Sequence, residues 1–164
     1  MSFRDASMRA EMAAELARLE SDLDRLTPRE RLYVDAVRAN LQGGTPEGLK
    51  RWRLLAEMYP DFYRGVNSYG YFAWFQGADW TAARKALETG ASDKNPYRGT
   101  AVYLLGVIYL AEQRYAEAIS QFQTAVALGS GFQREFYARA YAAQRQWPKA
   151  WQVFAEAPPV DDAK

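Results

Sequence analysis

A small residue recurs along this chain at a nearly fixed interval: Gly48, Ala83, Ala118 and Ala150 stand 35, 35 and 32 residues apart. That period accommodates two short helices with their turns, and such a hairpin buries its apolar faces only by stacking on the next. Other positions keep the same step. Four residues after each small residue come Trp52, Leu87, Phe122 and Phe154, large enough to fill the gap between two closely packed helices. Seven after it come Leu55, Gly90, Ala125 and Ala157; three before it come Thr45, Trp80, Tyr115 and Trp147, where aromatics can close the open end of a hairpin.

The punctuation agrees with the period. In Thr27-Pro28-Arg29-Glu30 a threonine can cap, proline suits the first helical position, and Glu30 can complete a capping box. Gly43-Gly44 ends that helix, Thr45-Pro46-Glu47 opens the next, and Tyr59-Pro60-Asp61 stops it. Further breaks fall at 76–79, 90–96, 112–114, 129–131, 146–148 and at Pro158-Pro159. Apolar residues recur three and four apart, with no alternating Val/Ile/Thr runs, so the chain is expected to be all-α with about nine helices. The first, over residues 5–26, carries a stripe of Met8, Met12, Leu16, Leu19, Leu23 and Leu26.

Leu105-Gly106, Tyr109, Tyr115, Ala118, Phe122 and Ala125 fall in the order and spacing of the tetratricopeptide repeat, which this stretch resembles. The resemblance implies a right-handed superhelix of about four helical hairpins plus an N-terminal helix, in a single domain over residues 1–164, with repeats at 29–62, 64–96, 99–130 and 131–162. The first repeat keeps Ala36, Gly48, Trp52, Leu55 and Pro60 but lacks the Leu-Gly pair. The second has Tyr71 where a small residue is expected and Trp74 where a tyrosine is; the last has Ala138, Tyr141, Ala150 and Phe154. The run from Leu26 to Val34, followed by the Tyr59-Pro60-Asp61 turn, also resembles the repeat region of bacterial multidomain signalling proteins of the peptide-modification cyclase group. That likeness implies a regulatory or assembly region; the residues carry no cyclase signature, so cyclase activity is not expected.

Composition removes much catalytic chemistry. There is no cysteine and no histidine, hence no disulfide, no thiolate or imidazole metal site, and no histidine base. Pairs such as Glu11 with Glu15 or Asp22 with Asp24 read as solvated helix faces, and Asp161-Asp162 as too few ligands to hold calcium or magnesium. Neither Gly43-Gly44 nor Gly129-Ser130-Gly131 carries the Lys-Ser/Thr of a phosphate loop. No enzyme activity, cofactor or metal is expected. Lys and Arg number 21 against 20 Asp and Glu, a balance that argues against nucleic acid despite Lys50, Arg51 and Arg53 around Trp52. The longest apolar run, Ala101 to Ala111, falls short of the roughly 20 residues of a membrane span, so no membrane insertion is expected. The start, Met1-Ser2-Phe3-Arg4-Asp5, lacks the pattern of a secretory signal, and a cytoplasmic location is the expectation.

In the family resembled, the first helix of each hairpin lines a concave groove. Carried over by phase, the lining would be Tyr33, Val37 and Asn40, then Ser68, Phe72 and Phe75, then Tyr103, Val107 and Leu110, then Phe132, Glu135 and Arg139. The Lys and Asn set with which chaperone-binding relatives clamp a carboxylate is almost absent. A groove so aromatic must be covered. The cover would be a partner's hydrophobic helix or peptide, a second copy in a homodimer, or the chain's own first helix. The expected function is a non-catalytic protein-binding scaffold. Its rival is a structural or homodimerising regulatory region of a larger bacterial signalling protein, its groove filled by its own N-terminal helix.

Overall fold

The computed structural model describes residues 10, 13–14, 16–18, 23–41, 45–77, 79–130 and 134–156. Of the expected first helix, residues 10, 13–14 and 16–18 are helical and Leu23–Arg25 forms a single 3-10 turn; where its apolar stripe packs lies outside the described residues. Eight α-helices follow among the described residues, with no strand. The chain divides into two compact units, residues 1–89 and 90–164.

The first unit contains α1 (Pro28–Leu41), α2 (Thr45–Met58), α3 (Tyr63–Phe75) and α4 (Trp80–Gly90). The capping box expected before α1 is formed: the Thr27 amide and hydroxyl both donate to the Glu30 carboxylate, at 2.8 and 2.7 Å, and the Glu30 amide donates to Thr27 Oγ1 at 3.4 Å. α2 packs on both α1 and α3. Trp52 and Leu55 of α2 are buried together with Ala36 and Val37 of α1, and Tyr33, Phe62 and Phe72 pack against this cluster. Deleting a ring buried as fully as that of Trp52 costs roughly 3–5 kcal/mol in a packed core.

Gly70 settles the odd second repeat. A Cβ on it would stand 2.6 Å from Leu87 Cγ, so its missing side chain is what lets α3 lie against α4. Tyr71, expected to stand in the small-residue position, is displaced from it by one residue. The reason is the turn. Residues 76–79 separate α3 from α4, whereas residues 112–114 suffice between the corresponding helices of the next hairpin, so the contact moves back to Gly70.

The second unit contains α5 (Arg98–Ala111), α6 (Tyr115–Ala127), α7 (Arg134–Ala143) and α8 (Trp147–Ala155). α6 packs on α5 and α7, and α7 on α8. Every residue from Ala101 to Ile108 is buried, as an all-round apolar helix requires. Gly106 repeats the part of Gly70: a Cβ there would lie 2.7 Å from Phe122 Cε1. In the loop before α5, the buried Asn95 donates to the Gly90 carbonyl and accepts from the Tyr97 amide at 2.8 Å. Helices α5, α6 and α7 each end with a residue in the left-handed region, Gln113, Gly129 and Arg145. The next amide in each case reaches back five residues, Arg114 to Tyr109, Ser130 to Ala125 and Gln146 to Tyr141, which satisfies carbonyls the helix end would leave open.

Across the two units, the second helix of every hairpin begins on the residue marked by the repeat: Thr45, Trp80, Tyr115 and Trp147.

Candidate functional site

Phe75, at the last turn of α3, is the most exposed of the groove residues named from the sequence whose burial can be described: 64% of its surface is open among apolar ones. Its ring stacks on Tyr71, centroids 5.5 Å apart at 13°, because the two residues are one helical turn apart on the same face. Trp74 lies beside it at 6.1 Å and meets Trp80 of α4 edge-on at 6.4 Å. In the other direction Tyr71 meets Phe72 at 5.1 Å, and Phe72 stacks on the buried Trp52 at 5.6 Å. Trp52 in turn meets Tyr33, and Tyr33 meets Phe62, over which the Arg29 guanidinium lies at 5.0 Å. An unbroken series of rings thus runs from the core of the first unit to its surface. The inner rings are locked by packing, and the outer ones present a rigid apolar face that loses little conformational entropy on contact.

The remaining groove residues divide by burial. Tyr33, Ser68 and Phe72 are half-buried. Val37 is a core residue under α2. Asn40 is half-buried as a residue, but both atoms of its amide are buried with no hydrogen-bond partner, beside Gly48, where a Cβ would clash with Asn40 Oδ1. Tyr103 and Val107, expected to face a groove, are buried instead and offer a partner no surface. α5 is apolar on every side, so burial, not a groove, takes them. Burial and then the charge of Glu135 push the Tyr103 hydroxyl well above the usual tyrosine range. Leu110 is half-buried; Arg139 is exposed and paired with Glu135 in its own helix, one turn away. Phe132 lies outside the described residues.

The half-buried Tyr71 and Trp74 and the exposed Trp80 flank Phe75, although the repeat pattern places them at packing positions. The spacing of Tyr71, Trp74 and Phe75 at three and four residues was the available signal. Trp80 reaches across its hairpin to Trp74 and still keeps 38% of its surface open, whereas Trp147 is 63% exposed.

A separate concavity of about 360 Å³ lies in the first unit among α2, α3 and α4. Its floor is Tyr69, whose hydroxyl burial pushes up, and its rim carries Arg53, Glu57, Asp79 and Lys85. Arg53 is bound to Glu57 at 2.8 Å one turn along α2. Rim charges of both signs, one pair already closed, give this hollow no net demand for an anion or a cation. Among the described residues no three acidic side chains gather where they could hold a metal, and no helix is long and apolar enough to cross a membrane.

No family model matches the sequence, and no curated protein matches it. Solved structures do. One is a double mutant of MamA RS-1, with a TM-score of 0.70 and 17% identity over 93% of this chain and 86% of that one. A second, from a functional characterisation of Pseudomonas aeruginosa PilF, gives a TM-score of 0.66 and 18% identity over 93% of this chain and 76% of that one. The fold is therefore that of a tetratricopeptide-repeat protein, all helical. The likeness to the repeat region of peptide-modification cyclases gains no support from these comparisons.

Proposed function

We propose that the chain is a non-catalytic scaffold that binds a hydrophobic helix or peptide segment of another protein on the aromatic face of α3. The observation that carries this reading is Phe75, 64% exposed yet held by its stack on Tyr71 and by Trp74. Water-exposed rings already fixed in place are the usual anchors of a protein interface. Tyr33, Phe72 and Ser68 extend the face at its half-buried margin. Tyr103, Val107, Phe132 and Arg139 have no part in this reading.

Selection of helical peptides of about 16 residues from a displayed library tests it. The expected result is enrichment of peptides with apolar residues three and four apart, whose affinity for the chain falls about tenfold with Phe75→Ser or Trp74→Ser. A library that yields no binder, or binders indifferent to both substitutions, would refute the reading. Light scattering over a range of concentrations separates the homodimer alternative, in which Phe75→Ser would dissociate a dimer instead.

A further inference from the structure

A hollow that calls for neither ion alone is suited to a molecule that carries both charges. The concavity of about 360 Å³ among α2, α3 and α4 falls in the size range of small-molecule sites. Ala56, Pro60, Val66, Ala82 and Ala86 make its walls small and apolar, and the short side chains of the three alanines leave the space. Every residue that lines it belongs to the first unit.

The capacity that each polar group has left over selects the ligand. Arg53 donates through Nε to Glu57 at 2.8 Å, and its two terminal amino groups have no hydrogen bond to any described residue. Asp79 accepts the Ala82 amide on Oδ1 at 2.9 Å, which caps α4 and leaves Oδ2 open. The Asp79 charge acts through space on Arg53 and on the Tyr69 hydroxyl, yet among the described residues no ion pair joins Asp79 to Arg53. Opposite charges from α2 and the start of α4 therefore line one hollow within electrostatic reach but beyond the ion-pair contact of about 4 Å. The Tyr69 hydroxyl on the floor also has no hydrogen-bond partner among the described residues. A ligand with a carboxylate alone would be repelled by Glu57 and Asp79, and one with an ammonium alone by Arg53 and Lys85. A molecule with both charges meets each with its opposite.

We propose that this hollow binds a free α-amino acid with an apolar side chain. Its carboxylate accepts from the terminal amino groups of Arg53, its ammonium donates to Asp79 Oδ2, and its side chain lies on Val66, Ala86 and the Tyr69 ring. Only a free amino acid fits in this way, because in a peptide the two end charges are no longer separated by a single carbon. The site goes beyond the protein-binding reading and uses none of the rings of the aromatic face.

Titration of L-phenylalanine, L-leucine and L-methionine into the 164-residue chain, followed by amide chemical shifts, tests the proposal. At least one is expected to shift the Ala82, Ala86 and Thr89 amides with a Kd of about 1 mM, in keeping with a ligand of roughly ten heavy atoms at an open site. N-acetylation or amidation of that amino acid removes one charge and keeps the body, and each should weaken binding about tenfold, as should Arg53→Gln and Asp79→Asn. Both substituted residues are exposed, and asparagine caps a helix as well as aspartate, so unfolding midpoints should stay at the wild-type value. Phe75→Ser is expected to leave the affinity unchanged. No shift with any of the three amino acids at about 20 mM would overturn the proposal. So would an acetylated or amidated derivative that binds as tightly as its parent, which marks a site for one ion only, or shifts that survive both Arg53→Gln and Asp79→Asn.

Discussion

Gly106 sets how closely α5 approaches α6. The ring it faces, Phe122, is held between Tyr103 at 5.7 Å and Tyr137 at 5.6 Å, so it cannot retreat from an added methyl group. Gly106→Ala would gain about 1 kcal/mol of helix propensity against an overpacking cost of roughly 1–3 kcal/mol. A net fall in the urea midpoint is expected; an unchanged midpoint would mean that the ring has room to turn. The helix-ending residues provide the opposite case. Gln113 and Arg145 adopt φ values of 61° and 58°, which side chains disfavour, and Gly129 does the same at 74° with nothing within 4 Å of where its Cβ would be. Gly129→Ala therefore meets only the backbone cost, about 1 kcal/mol, and Gln113→Gly should raise stability by up to about that amount, less the entropy glycine adds to the unfolded chain. Paired denaturation curves check both. A loss at Gly129 without a gain at Gln113 would show that the Gln113 side chain contributes where it lies.

At the scale of the element, the capping box ties the start of α1 to pH. Thr27 donates to the Glu30 carboxylate through its hydroxyl and then its amide, which holds that carboxyl below the usual range. A lowered folded value means that this stabilisation is present above the ordinary carboxylate pKa and is lost as pH falls through the lowered one. Thr27→Ala should lower stability at neutral pH by roughly 0.5–1 kcal/mol and flatten the acid side of the stability curve; an unaltered acid limb would show that the box does not contribute. This box was legible because four adjacent residue types specify it, and the starts of α2, α4, α6 and α8 because one spacing repeats. Which side of a helix is open was legible only where the helix carries a polar residue outside the core. In α3, Ser68 gives a phase, and Phe75 on that helix is exposed while Phe72 is half-buried. In α5, eight consecutive buried residues carry no phase, so Tyr103 and Val107 were assigned outward although they belong to the core. The Gly70 contact was missed because a single extra turn residue moves it and leaves the period almost unchanged.

For the molecule as a whole, stacked hairpins bind mainly to their sequence neighbours, so protection should follow how many sides of a helix are covered. Within residues 90–164 the extremes are plain. α5 is buried on all sides from Ala101 to Ile108, while α8 buries Ala150 and Val153 and leaves Trp147, Trp151 and Phe154 in water. Amide hydrogen exchange is expected to be slowest in α5, intermediate in α6 and α7, and fastest in α8, although α8 has the normal helix hydrogen bonds and Pro148 in its first turn. Phe122→Ala removes the ring that joins α5, α6 and α7, a loss of roughly 3–5 kcal/mol, and should speed exchange in all three helices together. If α8 instead exchanged as slowly as α5, its aromatic stripe would already be covered in solution, and the cover would have to be found within the chain or in a second copy of it.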